Sequence, residues 1–159
     1  FINLNFGDIL KNNKTVSIHV RIGDYLLFPN EHPICELDYF KRAMECFDDD
    51  VTYLIFSDNI EWAKENFKQD NFIYVTKNDC WTDNTYSFDI SKGGYPDYIE
   101  MYLMSMCDHN IIANSSFSWW GAWLNKNPNK KVIAPEKWFG PTYSYHNLND
   151  LIPNNWKKL

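Results

Sequence analysis

Asn110-Ile-Ile-Ala-Asn-Ser-Ser-Phe-Ser-Trp-Trp-Gly-Ala-Trp-Leu124 is the stretch whose reading decides the fold. Ile111, Ile112 and Ala113 form a short apolar strand, and residues 116–124 follow a helical pattern. Small polar residues lie between them: Asn114, Ser115, Ser116 and, one turn on, Ser118. A strand that runs straight into a helix is a unit of a parallel α/β sheet. The first N–H groups of such a helix lack partners, and its dipole favours negative charge there, so an anion can sit at this end. Ser and Asn are also ordinary N-caps, and taken alone the stretch reads more simply as a capped helix in an α/β core.

The same alternation extends in both directions. Residues 15–20 are β-branched and alternating, hence a strand, with Gly23 and Asp24 marking the turn that ends it. Residues 25–33 read as a loop. Residues 36–47 read as a helix with Leu37, Phe40, Ala43, Met44 and Phe47 on one face. Residues 51–56 are almost continuously apolar, which suits a strand covered on both sides. Asp58 and Glu61 have the spacing of a capping box for a helix carrying Ile60, Ala63, Lys64 and Phe67. Residues 71–75 are a third strand. Residues 77–94 are a long polar loop, a length that points to function or mobility. Residues 96–107 are a helix with Pro96 near its first turn. Residues 131–134 are a fifth strand, and the Pro-, Asn- and Trp-rich tail holds one short helix. The fold expected is α/β and Rossmann-like, a mostly parallel, doubly wound sheet in a single domain over residues 1–159.

Composition narrows the function. An apolar fraction of 45% with 18% aromatics belongs to a folded globular chain. A net charge of −6 argues against general nucleic-acid binding, whose footprint is a basic patch. No run approaches the roughly 18 apolar residues of a membrane span. The start, Phe1-Ile-Asn-Leu-Asn-Phe6, lacks the basic residues and long apolar run of a signal peptide, and it lacks Met, which suggests a fragment of a longer chain. Cys35, Cys46, Cys80 and Cys107 are scattered, with no Cys-x-x-Cys pair. Cys46 and Cys107 read as buried thiols, consistent with a reducing, cytoplasmic setting.

In a doubly wound sheet, ligands bind beyond the carboxyl ends of the strands, so the turns after residues 20, 56, 75 and 113 are the places to look. His19 and Arg21 are two apart on a strand and share a face. Arg21 carries a planar fork of donors suited to phosphate. The spacing leaves two readings open: an anion-binding pair, or an Arg21–Asp24 pair that closes the turn with His19 as a hydrogen-bonded core residue. Ser57, Asp58 and Asn59 read first as helix caps, with Asp58 also a candidate ligand contact. Glu100 and Asp108 fall on roughly one side of a helix, and unaided they read as solvated carboxylates. Asp48-Asp-Asp50 resembles a metal-binding cluster but sits far from the expected cleft and reads as a solvated turn. Gly-x-x-x-x-Gly-Lys-Ser, Gly-x-Gly-x-x-Gly and Gly-x-Ser-x-Gly are all missing.

Taken together, His-Val-Arg-Ile-Gly-Asp-Tyr at 19–25, Phe-Ser-Asp-Asn at 56–59, the stretch at 103–124 and Ile-Ala-Pro-Glu-Lys-Trp at 133–138 resemble the alpha-1,2-fucosyltransferases of glycosyltransferase family 11. The resemblance runs in order along nearly the whole chain. It implies a GT-B-like enzyme that moves fucose from GDP-fucose to the 2-hydroxyl of a galactose-containing acceptor, with inversion and without a metal or other cofactor. This chain would be mainly the donor-binding, C-terminal half. The family's His-x-Arg-Arg-Gly-Asp has Ile22 at its second Arg here. The resemblance implies that Arg21 holds the β-phosphate, that His19 lies near the nucleotide, and that Ser116, Phe117 and Ser118 face phosphate or guanine. Asn114, Ser115 and Asp58 complete the expected donor site. Glu100 falls where relatives carry an acid that pairs with the guanine edge, whose N1 and 2-amino groups are both donors. Asp24 is the candidate base. Trp119, Trp120 and Trp123 are expected to pack the helix in place. A soluble, bacterial-type enzyme is expected, meeting a lipid-linked acceptor at the inner face of the membrane. The rival readings are a nucleotide- or glycan-binding module without turnover, and a structural α/β protein with no ligand.

Overall fold

The computed structural model describes residues 4–76 and 97–159. The loop expected over residues 77–94, Pro96 and Cys80 lie outside the described residues. The elements are α1 (Leu4–Asn12), β1 (Thr15–Val20), α2 (Leu37–Met44), β2 (Thr52–Ser57), α3 (Ile60–Asn66), β3 (Phe72–Tyr74), α4 (Tyr98–Met106), β4 (His109–Ile111), α5 (Ser116–Leu124), β5 (Val132–Ala134) and β6 (Lys157–Lys158). Among the described residues all five strand pairings are parallel, in the order β3-β2-β1-β4-β5-β6. The Rossmann-like, doubly wound sheet is therefore observed.

The period of two along the strands sorts side chains between the faces. Tyr53 and Ile55 of β2, with Val16, Ile18 and Val20 of β1, pack against Phe40, Ala43 and Ala63 of α2 and α3. Leu54 and Phe56 point the other way, against Phe6 of α1 and Ile99, Leu103 and Met104 of α4. Every residue of β1 is buried, as a central parallel strand requires. A third cluster joins Ala122 of α5 and Val132 and Ala134 of β5 to Trp138, Ile152 and Trp156 of the tail.

Several expectations shift. β4 lies at His109–Ile111, two residues before the apolar run that signals it. Asn110 can sit inside because its Nδ2 donates to Ser17 Oγ (2.7 Å) and to the Met104 carbonyl (2.9 Å), while its Oδ1 accepts from Asn125 (2.9 Å). The ladder still reaches Ile112, whose N–H donates to the Ile133 carbonyl. Helix α3 is capped by Asn59, which accepts from the Trp62 N–H (3.1 Å), and not by Asp58 with Glu61. The tail holds a 3-10 turn at Pro141–Tyr143 and the strand β6, where one short helix is expected. Asp108 is no solvated carboxylate: it accepts from the N–H (2.8 Å) and the hydroxyl (3.1 Å) of Thr15 and fixes the start of β1. Cys107 is buried as expected, whereas Cys46 is only half-buried, with the Lys157 ammonium 3.1 Å from its sulfur. Asp48, Asp49 and Asp50 are exposed, and Asp48 pairs with Lys14 at 2.6 Å. Trp119 is partly buried, its Nε1 donating to the Leu151 carbonyl, but Trp120 and Trp123 are about half exposed and only partly serve as packing. No helix among the described residues is long and apolar enough to cross a membrane.

Candidate functional site

Strand order reverses between β1 and β4, and the crevice of an open α/β sheet lies at that switch point, beyond the carboxyl ends. Two segments meet there: the turn after Val20 and the run from Ile112 into α5.

Parallel register sets Val20 beside Ser57, which brings Asp58 against the turn after β1. Arg21 is ion-paired through Nη2 to Asp24 Oδ1 (2.7 Å) and through Nη1 to Asp58 Oδ2 (3.3 Å). Asp58 Oδ1 also accepts from the Ile22 N–H at 3.0 Å. A Cβ at residue 23 would collide with the Asp58 carboxylate and push it off Ile22 and Arg21, so Gly23 leaves that carboxylate its place. The turn-closing pair read from the sequence is present, and it includes a second carboxylate from β2. Arg21 stays a third exposed, so its remaining donors can reach a ligand.

His19 faces the opposite side of β1 from Ile18 and Val20. It is 4% exposed, and its ring centroid lies 5.4 Å from that of Phe117 on α5. Its Nδ1 is buried without a hydrogen-bond partner among the described residues, so His19 is a core histidine as one sequence reading has it, with one ring nitrogen left unpaired. Burial, and then the Arg21 charge, pushes its pKa down to about 3, so the ring is neutral at ordinary pH.

Asn114 is a rivet between loops. Its Nδ2 donates to the carbonyls of Pro33 and Trp138, both at 2.9 Å, its Oδ1 accepts from Cys35 Sγ, and its carbonyl accepts from the Tyr25 hydroxyl at 3.0 Å. Helix α5 begins with Ser115 as N-cap and has no side-chain cap bond. Ser118 is 1% exposed and turns its hydroxyl back to the carbonyls of Ala113 and Ser115. Ser116 is exposed and Phe117 half-buried. The first turn of α5 therefore follows β4 at the carboxyl edge with no side-chain cap and with Ser116 exposed, while the side chains of Asn114 and Ser118 serve the framework. Glu100 lies in the first turn of α4, partly buried, on the same side of the sheet as α5, against which α4 packs where Gly121 meets Met104.

The structure thus gathers Arg21, Asp24 and Asp58 into one cluster and sets His19 against Phe117. Tyr25, which the sequence reading passes over, joins the two walls: its hydroxyl bonds Asn114, and the Arg21 guanidinium carbon lies 5.5 Å over its ring. Its place inside the His19-to-Tyr25 motif, next to Arg21 and Asp24, is the signal that could have found it.

A parallel sheet of this order, with a guanidinium and an uncapped helix start at its switch point, defines a Rossmann-like α/β domain whose crevice carries donors of the kind that anions meet. The chain belongs to glycosyl transferase family 11, whose family model matches residues 1–158. It is 36% identical over 158 residues to the O-antigen biosynthesis glycosyltransferase WbnK of Escherichia coli, covering 95% of this chain and 46% of that one. It is 33% identical over 162 residues to an alpha-1,2-colitosyltransferase of Escherichia coli, covering 96% and 50%. Human galactoside alpha-(1,2)-fucosyltransferase 1 is 27% identical over 115 residues, covering 69% of this chain and 28% of the human one. The chain spans half the length, or less, of these relatives.

Proposed function

We propose that this chain is the donor-binding part of a glycosyltransferase that moves fucose from GDP-fucose to the 2-hydroxyl of a galactoside, with inversion and without a required metal. Membership of the family supports sugar transfer, and the names of the fucosyl- and colitosyltransferase relatives support the donor class and the 1,2 linkage. The observation that carries the reading is Arg21, held by Asp58 at the switch point across from the uncapped start of α5.

In the proposed step, the acceptor oxygen attacks the anomeric carbon from the face opposite GDP. The new glycosidic bond forms as the bond to the β-phosphate oxygen breaks, and GDP leaves with the electron pair. Negative charge grows on the departing diphosphate. Arg21 keeps Asp58 on Nη1 and Asp24 on one Nη2 hydrogen and gives its second Nη2 hydrogen to phosphate, and the first N–H groups of α5 face the same charge. Each well-aligned donor of this kind is worth roughly 3–4 kcal/mol in a transition state. Asp24 takes the hydroxyl proton, its Oδ1 paired with Arg21 and its Oδ2 open to the acceptor. Glu100 accepts from guanine N1 and the 2-amino group.

Arg21→Ala should lower transfer from GDP-fucose by about a hundredfold or more and weaken GDP binding, with an unchanged circular dichroism spectrum. Calorimetry with GDP and turnover assays with GDP-fucose and GDP-colitose, run on one preparation, decide the matter. Near-normal turnover in the variant would sink the assignment. GDP binding without turnover of either donor, even by the full-length protein, would favour the binding-module reading, and absence of GDP binding in the unaltered chain would leave only a structural role.

A further inference from the structure

We infer that the acceptor saccharide docks on an aromatic wall that leads outward from Arg21 along the carboxyl edge of the sheet; this rests on the transferase reading above. The wall starts at Tyr25, under the Arg21 guanidinium. Tyr25 stacks on His32 with centroids 5.0 Å apart at 22°. His32 lies 5.7 Å from Tyr143, and Tyr143 lies 6.4 Å from Tyr145. Phe139 and His146 tie the row together, Phe139 at 5.8 Å from Tyr143 and 5.2 Å from His146. The outermost ring, Tyr145, is 74% exposed.

This row is built into the fold. The loop after β1 and the segment after β5 are joined by backbone bonds from Gly140 N–H to the Glu31 carbonyl (2.9 Å) and from Thr142 N–H to the Asn30 carbonyl (3.0 Å). The Thr142 hydroxyl donates to Glu31 Oε1 at 3.3 Å. Gly140 lies so close to the Asn30 carbonyl that a Cβ would collide with it. Asn114 holds both segments by the carbonyls of Pro33 and Trp138, next to α5. The wall is thus fixed to the same rivet as the anion site.

A pyranose offers an apolar C–H face and a rim of hydroxyls. Aromatic rings with polar tips match both, and in this row Tyr145 and His146 are the exposed ones, the Tyr25 hydroxyl being held by the Asn114 carbonyl and His32 Nδ1 being buried. The donor's own fucose is a single ring attached to the phosphate that Arg21 holds, so it ends near Tyr25. The row continues two further ring steps beyond His32, longer than one pyranose needs. An acceptor with more than one sugar fits that length, with its reactive galactose at the Arg21 end.

The test is kinetic, on the full-length protein, with GDP-fucose as donor and a galactose-terminated trisaccharide as acceptor. Tyr145→Ala should raise the acceptor KM by about three- to tenfold, the loss of one stacking contact, and leave the donor KM and the affinity for GDP where they were. Tyr145→Trp should restore the acceptor KM. An unchanged acceptor KM in Tyr145→Ala with transfer intact, or a rise in the donor KM instead, overturns this proposal alone. GDP binding with no transfer to that acceptor by the unaltered full-length protein removes the transferase reading, and this site with it.

Discussion

Asp58 shows how one side chain can serve both fold and site. Its Oδ1 takes the Ile22 N–H and its Oδ2 faces Arg21, so a neutral copy of its shape should separate the two duties. Asp58→Asn keeps an acceptor for Ile22 but loses the charge that orients the guanidinium. We expect kcat/KM to fall about tenfold with little change in the urea midpoint. Asp58→Ala leaves the Ile22 N–H unpaired as well, which should cost a further 1–3 kcal/mol or about that. Equal stability of the two variants would show that Ile22 finds another partner. His19 makes a prediction about pH. Folded, it titrates at about 3; unfolded, near its ordinary 6.5. Above 6.5 both states are neutral and the group adds no pH dependence. Between the two values the unfolded chain holds more protons, so stability is lost as pH falls through that window, at up to about 1.4 kcal/mol per unit. Denaturant titrations from pH 8 to pH 4 should show the loss in the native chain and a flatter profile in His19→Phe. Parallel profiles would place the acid sensitivity elsewhere.

Helices α4 and α5 meet where Gly121 faces Met104: a Cβ at residue 121 would lie 3.0 Å from Met104 Cβ and 3.2 Å from its sulfur. Gly121→Val should therefore overpack the contact and cost roughly 1–3 kcal/mol by thermal or urea unfolding. A neutral result would mean that Met104 swings clear. This joint sets where the start of α5 points, so it also bears on the site. The elements legible in the sequence are those whose apolar period is unbroken, β1, β2 and α5 among them. β4 is displaced because Asn110 reads as polar, yet it is buried through partners on β1, α4 and Asn125. β6 carries no pattern at all: its two residues are exposed lysines, placed by backbone bonds between Leu159 N–H and the Ala134 carbonyl and between Glu136 N–H and the Leu159 carbonyl. The site divides in the same way. Arg21 and Asp24 are three apart and legible as a pair. Asp58 is 36 residues from Ile22, and only the parallel register of β1 and β2 brings them together. Asn114 looks like a ligand contact in sequence, and its side chain turns out to hold two loops, because small amides suit backbone carbonyls at any chain distance.

At the scale of the molecule, the proposed site straddles the centre of one six-stranded sheet, so ligand binding should be felt by the whole cooperative unit. Arg21 follows β1, Asp58 follows β2 and the start of α5 follows β4; a bound diphosphate would bridge three chain segments that unfolding separates. A ligand that binds only the folded state adds about 2.7 kcal/mol at a concentration one hundred times its Kd. For a domain of this size each kcal/mol moves Tm by about 2–4 °C, so saturating GDP should raise Tm by about 5–10 °C. The shift should grow with the logarithm of GDP concentration. It should shrink in Arg21→Ala, which loses the anchor, and persist in Tyr145→Ala, whose ring lies on the acceptor wall. Guanosine without phosphates should give much less, because the charge at the switch point supplies the contact. An undiminished shift in Arg21→Ala would mean that GDP binds away from the crevice, and the carboxyl edge of β1 and β4 would then need another ligand to explain its uncapped helix and its paired arginine.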